Sequence, residues 1–108
     1  MTDAFHVTSS LNRASIHAHG LDYTRMGLAR GIAGSVEAEQ AGCFLAMNEH
    51  ERDWFVGMNN TGGPVDVWEV ADVDVEDLVE SPEGHLYLPG VVPPGRLRLA
   101  QLDLPPRR

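Results

Sequence analysis

The sequence has no lysine, one cysteine and no apolar run long enough to cross a membrane. A lone cysteine, Cys43, excludes an internal disulfide and suits a reducing cytoplasm. Its expected role is a small buried apolar side chain rather than a reactive thiol. The first residues lack a basic stretch leading into an apolar one, so no secretory leader is expected and the reading is cytoplasmic. All eight basic residues are arginines, set against 16 acids, for a formal charge of −8. The stretch from Asp66 to Glu83 holds eight of those acids and no arginine. Such a surface repels phosphate backbones, so tight non-specific nucleic-acid binding is not expected. A local basic patch including Arg25 and Arg30 still suits one phosphate group.

What is present is enough for a core. Apolar residues make up 43% of 108 positions, which fits one compact domain over residues 1–108. A chain this short buries a modest fraction of its surface, so the expected ligand site is a shallow cleft. Residues 4 to 8 combine aromatic, β-branched and apolar types and read as a strand. Ser9 and Ser10 offer N-caps to a helix in "LNRASIHAH", with Leu11, Ala14 and Ala18 on one face. Gly20 stands where a helix needs a left-handed stop, and Leu21 follows as an apolar clasp. "DYTRMGLARGIAGS" reads as a loop, and "CFLAM" as a short buried strand.

Asn48 and Glu51 have capping-box spacing, opening a helix expected to bury Trp54, Phe55 and Met58. "VDVWEVADV" alternates as a strand, with Val65, Val67 and Glu69 on one face and Asp66, Trp68 and Val70 on the other. Residues 74 to 80 suit a helical turn, "SPEG" a turn, and "HLYL" and "RLRLAQL" closing strands. The prolines of "PGVVPPG" exclude that segment from a central strand. The acidic run reads as a solvated face. The order of elements predicts an α+β domain.

Several constellations fail on physical grounds. His17 and His19 are two residues apart, which on a helix turns them away from each other, so they read as surface groups and not metal ligands. Ser9 and His6 with an acid lack the G-x-S-x-G elbow of a hydrolase. The glycines near residue 31 follow no strand and precede no G-K pair, so they form no phosphate loop.

"FHVTS", "RASIHAHGL", "GCFLAMNEHERDWF", "VDVWEV" and "HLYLPGVVPPGRLRL", in that order, resemble the ADP-ribosyltransferase superfamily. The likeness is nearest to its compact members, which include RNA 2′-phosphotransferases and small bacterial transferases. It implies two split antiparallel sheets packed across each other with short flanking helices, and an NAD-dependent enzyme. In that family a strand histidine orients the ribose on the adenine side of NAD, which maps to His6. Backbone groups of the next residue, here Val7, hold the nicotinamide amide, and the hydroxyl of Thr8 helps order the site. An aromatic at the position of Phe44 stacks on nicotinamide. An acid near the end stabilises positive charge developing at C1′, and it maps to Glu83, with His85 as the alternative.

Two departures are visible: Val7 stands where the family has glycine, and Phe44 where it has tyrosine or histidine. The resemblance therefore implies ADP-ribosyl transfer to an unidentified protein, nucleic-acid or small-molecule acceptor, with no membrane partner. Two alternatives stay open. One is a 2′-phosphotransferase using Arg25 or Arg30 on the phosphate, and the other a non-catalytic module that binds a nucleotide or a partner protein. His6 as a plain core residue is the bland reading beside all of these.

Overall fold

The computed structural model describes residues 2–22, 42–58, 63–82 and 84–105. Glu83, Arg25 and Arg30 lie outside the described residues, as does most of the glycine-rich loop. Two three-stranded antiparallel sheets and a few short helices make an α+β fold. The first sheet joins β1 (Thr2–Ser9), β3 (Val65–Val73) and β6 (Leu97–Leu104) in the order β1-β3-β6. The second joins β2 (Gly42–Phe44), β4 (Val79–Glu80) and β5 (Leu86–Pro89) in the order β2-β5-β4. Helix α1 is Arg13–His19 and α2 is Glu49–Gly57.

Strand β3 is hydrophobic on both faces because both faces are covered. On one side Trp68, Val70 and Val73 pack with Ala4, Ile16, Leu21, Cys43, Leu45 and Val92. On the other, Val65 and Val67 join Val7, against Phe5, Phe55 and Val56. Each fully buried Val or Leu contributes about 1.5–3 kcal/mol. Cys43 belongs to the first cluster, and burial pushes its thiol up to about 12.

The helix ends follow their residue chemistry. Ser9 Oγ accepts from the Leu11 N–H at 3.2 Å, capping a 3-10 turn over Ser10–Asn12 that leads into α1. Gly20 ends α1 with φ of 80°, where its own N–H donates to Ile16. A Cβ on Gly20 would fall 1.9 Å from the Val92 carbonyl oxygen, so only glycine fits. Leu21 then exchanges backbone hydrogen bonds with Val92, at 2.9 and 3.0 Å. The face expected to anchor α1 is corrected: Leu11, Ala14 and Ala18 are exposed, and Ile16 is the buried residue. With seven residues, α1 sits on the core by Ile16, by the His17 ring 5.0 Å from Trp68, and by its glycine stop.

Asn48 Oδ1 caps α2 by accepting from the Glu51 N–H at 2.8 Å. Glu51 answers through the Asn48 side-chain amide at 3.2 Å, not through its backbone. Trp54 corrects a second expectation: it is 47% exposed, while Phe55 and Met58 are half-buried.

Of the three register irregularities in the first sheet, two are marked by an aspartate with positive φ. At one, Asp72 (φ 58°) interrupts the β1–β3 register, and the Arg96 guanidinium donates to the carbonyls of Ala71 and Asp72. At the other, Asp103 (φ 52°) interrupts β3–β6. Here Asp66, inside the run read as solvated, is fully buried instead. Its carboxylate accepts from Arg13 twice at 2.8 Å, from Ser10 Oγ at 2.7 Å and from the Asp103 N–H at 3.0 Å. Burial alone would raise the Asp66 pKa; the Arg13 fork, the Asp103 amide and the Ser10 hydroxyl together outweigh it and hold the pKa below its ordinary value.

Candidate functional site

The two sheets touch at one point along β1 and then part. Phe5 and Ala46 exchange backbone hydrogen bonds of 2.8 and 2.7 Å. Beyond them the chain of Ala46 and Leu45 leads back to β2, whose partner is β5. Were the ladder to continue, Val7 would face Phe44. Instead the His6 ring fills the gap, and its Nδ1 lies 2.8 Å from the Phe44 carbonyl oxygen. A carbonyl only accepts, so Nδ1 carries the hydrogen and the neutral ring keeps Nε2 as an acceptor. Burial pushes the His6 pKa down, and the Phe44 carbonyl offsets part of that.

The fork leaves a polar edge. Alternation along an antiparallel strand turns the Val7 N–H and C=O toward the edge that Phe5 uses for Ala46. No backbone partner meets Val7 on that edge among the described residues. The Val7 side chain is turned to the opposite face, buried with Val65 and Val67. Its bulk is thus spent in the core, although glycine would be the expected residue for a close backbone approach. Thr8 Oγ1 accepts from Asn12 Nδ2 at 3.0 Å, tying the end of β1 to the turn before α1.

A ring cluster borders the fork. Phe44 and Tyr87 are cross-strand partners with centroids 5.8 Å apart. Their neighbours Cys43 and Leu88 go to the core, so the two rings share the other face of the small sheet. His85 packs edge-on to Phe44 at 6.4 Å, and Phe55 and Trp54 of α2 reach it at 5.6 and 5.1 Å. The His85 backbone is held by Ser81: the Ser81 N–H donates to the His85 carbonyl at 2.8 Å, and the His85 N–H donates to Ser81 Oγ at 3.2 Å.

Of the sequence-derived site residues, His6, Val7, Phe44 and His85 gather around this fork, and Thr8 closes the strand beside them. Glu83, Arg25 and Arg30 cannot be placed against it, being outside the described residues. Sequence reasoning passed over Tyr87 and treated Trp54 as core. The two-residue spacing of His85 and Tyr87 was the available signal, since it puts both on one strand face. Trp54 had none, because helical spacing alone does not tell which ring stays in solvent. His17 and His19 are exposed, and no group of three His, Cys, Asp or Glu fit to hold a metal occurs among the described residues. No helix among them is long and apolar enough to cross a membrane. Comparison with family models, curated proteins and solved structures returned no match to this chain.

Proposed function

We propose that this chain is an ADP-ribosyltransferase-like enzyme that binds NAD in the fork and displaces nicotinamide. The observation that carries the reading is the His6–Phe44 hydrogen bond at the parting of two small sheets. A nucleotide there meets complementary groups. His6 Nε2 accepts from a ribose hydroxyl, while the Val7 N–H and C=O match the oxygen and NH2 of a carboxamide. The Phe44 ring offers a flat face to the pyridinium. Thr8, through Asn12, keeps the end of β1 in register.

The reaction breaks the C1′–N bond of the nicotinamide riboside, and the bonding pair neutralises the pyridinium as it leaves. An acceptor nucleophile then bonds to C1′ and loses its proton. The carboxylate of Glu83, or His85 in its place, stabilises the oxocarbenium-like state between these events. Arg25 and Arg30 are proposed for the diphosphate. A module that binds NAD without turnover is the second reading, favoured by Phe44, whose ring has no polar group to offer.

Calorimetric titration with NAD, run beside a nicotinamide-release assay, tests both. Binding with release that is lost in Glu83→Gln and kept in His85→Ala supports the enzyme with Glu83 as the catalytic acid. The reverse pattern assigns that role to His85. Binding without release supports the module, and no binding sinks both readings.

A further inference from the structure

We infer that the exposed face of Trp54 is a docking point for an arginine side chain of a basic peptide. Trp54 is 47% exposed. Its ring is nonetheless fixed from within, by Phe55 at 5.1 Å and 75° and by His85 at 5.1 Å and 38°. A tryptophan braced on one side and wet on the other presents a flat apolar face with little freedom left to lose.

Charge selects the occupant. Glu51 lies one turn before Trp54 on the same side of α2, its Oε1 accepting from Asn48 Nδ2 at 3.2 Å. Glu80 borders the His85 turn, its Oε1 3.9 Å from where a Cβ on Gly84 would sit. The one cation of α2, Arg52, is bonded to Asp53 and lies 5.2 Å over the Phe5 ring. A nucleobase would suit the indole but would bring phosphates against these carboxylates. An ammonium would meet the charge without the plane. A guanidinium meets both, stacking on the indole while its N–H groups reach a carboxylate. The chain's formal charge of −8 favours the same partner at long range.

This inference stands apart from the cofactor reading and is measured without NAD. The chain has two tryptophans, and Trp68 is buried at 2% exposure, so its indole N–H signal serves as an internal reference. The full chain, labelled with nitrogen-15, is titrated with a pentapeptide carrying two arginines, with its lysine counterpart and with oligothymidylate. The arginine peptide is expected to move the Trp54 indole signal to saturation and leave Trp68 in place. Trp54→Ala should weaken binding about two- to fivefold, and Trp54→Phe by less. The Trp68 signal reports whether either variant keeps its fold. Equal affinity in Trp54→Ala, or equal binding of the lysine peptide, would reduce the surface to bulk charge and overturn the proposal. A larger Trp54 response to oligothymidylate would overturn it in favour of a base-stacking surface.

Discussion

The middle of β1 and the turn just after it handle polar groups in opposite ways. Near Ser10, the buried Asp66 carboxylate is met by Arg13, Ser10 and the Asp103 amide, so nothing is left to offer a ligand. Near Phe5, the sheets separate, one ring nitrogen closes the gap, and the backbone of Val7 faces an open edge. Both regions break the regularity of a sheet. The first break is filled by side chains that complete each other, which marks a structural anchor. The second is filled by a single imidazole with an acceptor to spare, which is where we propose a ligand.

The sharpest way to break this contrast is to empty the anchor. Asp66→Ala strands the guanidinium, the Ser10 hydroxyl and an amide together, and should cost about 2–4 kcal/mol in urea unfolding. Nicotinamide release at a temperature where the variant stays folded should be little changed. A variant as stable as the parent would show that the anchor is decorative.

Acid distinguishes the two regions next. Asp66 has a lowered folded pKa, so its contribution is full above the ordinary carboxylate value and is lost as pH falls below about 4. His6 also has a lowered folded pKa, but as a base: the unfolded chain takes a proton first, so stability declines as pH falls below about 6.5. Urea titrations across pH should thus show an upper step and a lower step. His6→Asn should erase only the upper one, and Asp66→Asn only the lower. A single step surviving both changes would refute the assignment.

His6→Phe sharpens the fork itself. It leaves the Phe44 carbonyl without its donor and should lower stability by about 1–2 kcal/mol, less than emptying the anchor. NAD affinity, read by calorimetry, should fall by about tenfold, the equivalent of one lost hydrogen bond. Smallest of all, Arg98→Ala removes an exposed partner of Glu69 and should change stability by less than about 0.5 kcal/mol.

How much of this was legible in the sequence follows the same division. Period and punctuation located β3, both helices and the Gly20 stop, because a strand buried on both faces and a helix end write their needs locally. Phe44 and His85 were named through the family resemblance; the strand period of two adds only that His85 and Tyr87 share a face. Asp66 was not legible. Its partners Arg13 and Asp103 are far away in sequence, and an acid among acids carries no sign that an arginine will be folded onto it. Trp54 was missed for a related reason: the apolar spacing of α2 is met by Phe55 and Val56, which pack against the core of the first sheet.

Cys43 has a practical consequence. A thiol held at 6% exposure with its pKa pushed to about 12 is almost entirely protonated in neutral buffer and shielded from maleimides. The natural chain is therefore a silent background for covalent probes. A cysteine introduced at an exposed position such as Asp53 could carry a spin label or a dye, and its signal would belong to that position alone.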